Sequence, residues 1–207
     1  MLNLAEGTLL VKTAREAIES YLSGGQLNTP SASPPSLMEP LGVFVTLLDN
    51  SPRRMLRGCI GNPFPEKPLL RQTAISAVEA ATLDPRFEPV RLDEMNQIIL
   101  EVTVLSPPEQ VEVSNPLKLR DEIVVGRHGI IVNGVGQRGL LLPQVAVEEG
   151  FNSEEFLSQC CLKAGLLPDA WLARKVQVSR FEGQVFSEER PGGPVLEKKL
   201  LNLGYRQ

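Results

Sequence analysis

A thiol two residues from a guanidinium, set between two glycines, is the part of this chain best suited to nucleophilic chemistry. It lies in Leu56-Arg57-Gly58-Cys59-Ile60-Gly61. A thiol attacks as its thiolate, and a nearby cation lowers the pKa from an ordinary value of about 8.5. On an extended strand, residues 57 and 59 project to one face, about 7 Å apart. Gly58 and Gly61 leave backbone N–H groups free to approach an oxyanion. His128 is the single imidazole in the chain and therefore the expected base of a Cys59–His128 pair. No third, orienting group stands out, although Asp84 and Glu101 are available carboxylates. Cys59 has a second reading, as a small buried apolar side chain, a common fate of free cysteine. Arg86, in Asp84-Pro85-Arg86-Phe87, also has two readings. It completes a turn by pairing with a carboxylate, or it joins Arg57 in holding an anionic group. Cys160 and Cys161 adjoin on a predicted helix and read as core residues.

Composition excludes several classes. Three cysteines without a CxxC pair, together with one histidine, do not make a zinc site, so no metal is expected. Neither a GxxxxGK[ST] loop nor a GxGxxG turn opening a helix is present, so no nucleotide cofactor is expected. The net charge of −4 argues against broad electrostatic binding of nucleic acid. No apolar run approaches the ~20 residues that span a membrane, and the N-terminus lacks the pattern of a secretory leader. A cytoplasmic protein is the expectation.

The elements that would position these groups follow from periodicity. Residues 4–22 carry apolar side chains at helical spacing. Residues 26–40, rich in Ser and Pro, read as a mobile loop. Residues 41–48 and 55–60 read as a hairpin that carries Cys59 on its second strand. A helix is predicted over 69–81, with alanines on its packed face, and a half-buried strand over 97–105. The second half predicts short strands at 123–125, 129–132 and 139–142, with Pro143 as a stop. A capped helix then starts at Asn152, and a strand covers 176–181. Both halves thus run strand, turn, strand, proline, helix, strand. The fold class expected is α+β: a largely antiparallel sheet with flanking helices, two intimate subdomains, and a duplicated strand-strand-helix-strand unit as one arrangement the pattern allows.

Six ordered segments carry a family resemblance. They are Gly42–Leu47 followed by Leu56–Gly61, Asp84–Phe87, Glu101–Ser106, His128–Ile130, Leu141–Val145 and Lys163–Leu166. In this order they resemble the AMMECR domain family over residues 3–187. The resemblance implies one domain, 3–187, in two subdomains of about 3–108 and 109–187, consecutive or interleaved; residues 188–207, charged and carrying Pro191-Gly192-Gly193, read as a C-terminal appendage. It also implies an intracellular protein. Some relatives are fused to, or encoded beside, Memo-like and radical SAM proteins, and such proteins are the partners it suggests. The chain lacks a CxxxCxxC cluster of its own.

Two functions remain open. In the first, Arg57 and Cys59 centre a site for a small molecule or a modified protein or nucleic-acid residue, with His128 and Arg86 as walls. Its substrate is anionic or carbonyl-bearing, and a thiol-dependent enzyme is its catalytic version. In the second, the glycine-rich motif shapes a non-catalytic binding or scaffold surface for a macromolecular partner.

Overall fold

The computed structural model describes residues 1–27 and 34–198. In chain order the elements are α1 (Leu4–Leu22), β1 (Val43–Asp49), β2 (Leu56–Asn62), α2 (Leu69–Thr82), β3 (Ile98–Leu105) and β4 (Glu109–Gln110). They continue with α3 (Leu119–Glu122), β5 (His128–Gly134), β6 (Gln137–Leu141), α4 (Pro143–Glu148), α5 (Ser153–Lys163), β7 (Gln177–Glu188) and β8 (Val195–Lys198). The fold is mixed α+β with antiparallel strand pairs. The chain divides into two compact units, 1–105 with 184–198, and 106–183.

In the first unit β1 is the middle strand, pairing with β2 on one side and β3 on the other. Val43, Val45 and Leu47 of β1 alternate with partly exposed residues and share a core with Leu10, Ala14 and Ile18 of α1 and Ala77 and Ala80 of α2. Helices therefore cover one sheet face, and Phe44, Thr46 and Leu48 point to the other. A capping box starts α1: Asn3 Oδ1 accepts from the Glu6 N–H, and Glu6 returns the bond to the Asn3 N–H. Arg15 and Glu188 form a mostly buried pair. Arg15 also donates to the carbonyls of Met95 and Ile98, and Glu188 accepts from the Leu100 N–H. Each charge thus has several partners, as low-dielectric surroundings demand.

The second unit repeats the connectivity. The β5–β6 hairpin is followed by α5 and then by β7, which pairs antiparallel with β5. The order β6-β5-β7 matches β2-β1-β3 in the first unit. Its core joins Ile130, Val132 and Leu141 to Phe156, Leu157, Cys160, Cys161 and Trp171.

The structure departs from the sequence reading in several respects: β3 is buried at seven of its eight positions instead of on one face, and β7 runs to Glu188 instead of ending at 181. Residues 123–125 are not a strand: the Val124 carbonyl accepts from the N–H groups of Arg127 and His128, which closes a turn there. Pro143 ends β6 but also begins α4, because a first-turn proline lacks only an N–H that a helix leaves unpaired anyway. Residues 188–198 are not an appendage, since β8 pairs with Val185–Glu188 of β7; residues 199–207 lie outside the described residues. Within the loop 26–40, residues 28–33 lie outside the described residues, while Leu37 is fully buried and the Glu39 carbonyl accepts from the Leu69 N–H.

Candidate functional site

Cys59 sits on β2 directly opposite Thr46 of β1, and Thr46 sits directly opposite Glu101 of β3. Directly opposed residues share a face, so the three form a row across neighbouring strands on the face turned away from α1 and α2. All three are partly exposed. The Thr46 hydroxyl lies 3.3 Å from the Cys59 sulfur. At the far end of the row, Lys198 of β8 donates to Glu101 at 2.6 Å, with side-chain exposures of 20% and 18%.

The 84–87 turn clamps the outer edge of β2 at Cys59. The Cys59 N–H donates to Asp84 Oδ2 at 2.8 Å, and Arg86 donates to the Cys59 carbonyl at 3.3 Å. Both peptide groups of Cys59 therefore point away from β1. This makes Cys59–Thr46 a non-hydrogen-bonded pair, the closer kind, with α-carbons about 4.5 Å apart, so the sulfur and hydroxyl can touch. Asp84 is itself held by Arg86 Nε at 2.9 Å, Nη2 at 2.7 Å and the Arg86 N–H at 3.1 Å. The Asp84 side chain is 2% exposed, while that of Arg86 is 55% exposed and lies over the Phe87 ring. Hydrogen bonds from Arg86 hold the Asp84 carboxyl well below the usual carboxylate range.

Electrostatics leave Cys59 as a thiol. Burial pushes its pKa up, and Asp84 and Glu101 push the same way; Thr46 and Arg86 oppose them without prevailing. The cation acting on the sulfur is Arg86. Arg57 is engaged elsewhere, with Glu94 at 3.0 Å and the Glu88 carbonyl at 2.8 Å. It also occupies a β-bulge, for Leu47 pairs with Gly58 and Leu48 with Leu56, which leaves Arg57 unopposed. That irregularity defeats simple alternation between residues 57 and 59.

The glycines have packing roles. A Cβ on Gly58 would run into the backbone carbonyl of Ala80, so α2 can approach β2 this closely only over glycine. Since Cys59 faces outward, Gly58 faces inward and its peptide groups serve the ladder with β1. A Cβ on Gly61 would occupy the space of the Phe44 ring, its directly opposed partner.

His128 opens β5 in the second unit. It is 6% exposed, and its Nδ1 accepts from the Val124 N–H at 3.0 Å, which places the proton on Nε2. Burial, then Arg180 and Arg127, lowers its pKa. The structure thus gathers Cys59, Gly58, Gly61 and Arg86 in one unit, whereas the described polar partners of His128 belong to the other. Cys160 and Cys161 are fully buried, and burial pushes Cys160 up to about 12. Glu101 is one of the two carboxylates the sequence offers, whereas no motif points to Thr46 or Lys198. The signal for Thr46 and Glu101 is a polar residue inside each of the apolar runs VFVTLLD and IILEVTVL, the second of which also holds Thr103.

The topological repeat provides an internal comparison. Gly139 on β6 matches Gly58 on β2: a Cβ on it would run into the Cys160 carbonyl of α5. Gly139 pairs with Val132 as Gly58 pairs with Leu47. One residue on, the row Cys59–Thr46–Glu101 corresponds to Leu140–Ile131–Ser179. The same topology therefore stands without thiol, Thr or Glu in that row.

Among the described residues, no three His, Cys, Asp or Glu side chains are placed to hold a metal ion, and no helix is long and apolar enough to cross a membrane. Comparison with known proteins gives the chain its relatives. It is 49% identical to a protein of Methanocaldococcus jannaschii over 97% of this chain and 99% of that one. It is 51% identical to a protein of Methanopyrus kandleri over 96% of each. A crystal structure of an uncharacterized protein from Pyrococcus horikoshii matches with a TM-score of 0.85 at 46% identity, covering 96% of this chain and 98% of that one. The AMMECR1 family model matches residues 11–186, and the chain belongs to the AMMECR1 family.

Proposed function

We propose that this chain binds a small polar molecule on the sheet face at Cys59, with Thr46 and Glu101 as further contacts and Asp84 and Arg86 as positioning residues. The observation that carries this reading is the polar row Cys59–Thr46–Glu101, partly exposed in one unit and replaced by Leu140–Ile131–Ser179 in the other. Because the same fold is built without these side chains, stability does not call for them, and a ligand gives them a use. Cys59 serves in its resting state as a hydrogen-bond donor, since burial keeps the proton on sulfur. A nucleophilic role needs a base that takes this proton when substrate arrives.

Alkylation tests the reading. In the folded protein, iodoacetamide is expected to modify Cys59 well before Cys160 and Cys161, which are fully buried. The low-molecular-weight fraction of a cell extract is expected to slow modification at Cys59. Labelling no faster at Cys59 than at the two core cysteines, or a rate that no such fraction alters, overturns the proposal.

A further inference from the structure

The balance of charge around Cys59 narrows the class of ligand, an inference that rests on reading this face as a binding site. Each cation brought by the motif, its clamp and its polar row is paired with a carboxylate, although Glu94 is shared between Arg57 and Arg91. Arg57 pairs with Glu94 at 3.0 Å, Arg86 with Asp84 at 2.7 Å and Lys198 with Glu101 at 2.6 Å. No positive charge among these three is left over to receive an anion. Asp84 cannot step aside, because it also holds the Cys59 N–H and the Arg86 N–H. Glu101 is itself the last member of the row, with side-chain exposure of only 18%, so an incoming carboxylate would meet a like charge in partly desolvated surroundings. Freeing Lys198 for it would leave Glu101 unpaired, at a cost a ligand must then cover.

The atoms that remain are complementary to a neutral group. Among the described residues, only one Glu101 oxygen takes the Lys198 bond, which leaves the other as an acceptor. The Thr46 hydroxyl can donate or accept, and the Cys59 thiol is a weak donor. We infer that the Cys59 face selects an uncharged ligand bearing both an N–H or O–H donor and a carbonyl acceptor, amide-like in class, and disfavours anions. An amide N–H directed at Glu101 and a carbonyl directed at Thr46 or the thiol leave every ion pair intact.

Two near-isosteric reagents test this, iodoacetamide carrying the amide and iodoacetate the carboxylate. Both react with the thiolate, so the thiolate fraction cancels in their rate ratio at one pH. Rates at Cys59 are read by peptide mass spectrometry on the folded protein and on the same protein unfolded in urea. Salt at about 0.5 M screens the long-range field of the chain. The amide-to-carboxylate ratio is expected to be at least about fivefold higher in the folded state than in the unfolded state. In Glu101→Gln, which leaves Lys198 without its carboxylate, the ratio is expected to fall back toward the unfolded value. A folded-state ratio equal to or below the unfolded one overturns the inference, as does a ratio unchanged by Glu101→Gln, while the binding site itself stands. Failure of both reagents to modify Cys59 in the folded protein overturns the site together with the inference.

Discussion

The backbone N–H of Cys59 donates to the Asp84 carboxylate at 2.8 Å, on the edge of β2 opposite β1, where no strand pairs among the described residues. With Arg86 on the carbonyl of the same residue, the turn supplies what a neighbouring strand would, at a single position. Asp84→Asn removes the charge and part of the acceptor capacity from a side chain that is almost wholly buried. A loss of about 2 kcal/mol is expected at pH 7, measured by urea unfolding. The folded-state pKa of Asp84 lies below its unfolded value near 3.9, so its contribution is present above about pH 4 and fades as pH falls further. The variant should therefore lose stability less steeply than the parent below pH 4. Parallel acid limbs would contradict the assignment. Removing the Asp84 charge also removes one influence that raises the Cys59 pKa, so alkylation at Cys59 should quicken.

Gly58 and Gly139 occupy matching places under α2 and α5, each facing a helix carbonyl. Alanine at either has to push a helix backbone away, because the obstructing atoms are not a side chain that can rotate. Each substitution is expected to destabilise by about 2–3 kcal/mol. The two losses should add in the double variant, since each glycine lies within its own unit. A neutral Gly58→Ala would mean that the glycine in the motif answers to something other than packing.

The helices and hairpins were legible because their signals are local. Asn152 with Glu155 forms the capping box its spacing suggests, and the alternation in 98–105 gives a strand, although seven of its eight residues are buried and not one face alone. The repeat was legible as an order of elements, which the two sheets reproduce. Of the residues gathered at the candidate site, the sequence offers Cys59, Asp84, Arg86 and Glu101 singly, without the arrangement that joins them. The neighbours of Cys59 come from β1, β3, β8 and the 84–87 turn, and strand pairing over such separations is not written in local pattern. Arg57 looked like the partner of the thiol because alternation assumes an unbroken ladder, and the bulge breaks it. Asp84 read correctly as the start of a turn, but its grip on the Cys59 N–H depends on where α2 ends.

Val135, at the tip of the β5–β6 hairpin, is a β-branched residue held at φ +53° and 72% exposed. Its side chain crowds the backbone in this left-handed region, and the exposure leaves little packing to offset the strain. Asparagine tolerates the conformation, and Val135-Gly136 would become the Asn-Gly pair favoured in two-residue hairpin turns. Val135→Asn is expected to raise stability by about 0.5–1 kcal/mol in urea unfolding. A loss of stability would show that the valine has contacts or a role that outweigh its strain.

His128 offers a pH signal free of overlap from other imidazoles, since the chain has one histidine. In the folded protein it is held neutral, first by burial and then by Arg180 and Arg127. Its Nδ1 is occupied as acceptor for the Val124 N–H. A proton on Nδ1 would turn that acceptor into a donor facing a donor, and the turn before β5 would lose its anchor. The unfolded state, with a histidine pKa near 6.5, takes up the proton first as pH falls. The stability due to neutral His128 is therefore complete above about pH 6.5 and declines below it, down through the depressed folded-state value. His128→Asn should lower the melting temperature at pH 7.5, where the anchor is intact. The gap between parent and variant should then narrow on descending from pH 6.5 to 5, because only the parent has an imidazole to titrate. Carboxylates that begin to titrate near pH 5 act on both proteins alike and cancel in the difference. A gap that is constant across this range would mean that folding does not change the affinity of His128 for its proton, and would contradict the assignment of Nδ1 as the acceptor held by Val124.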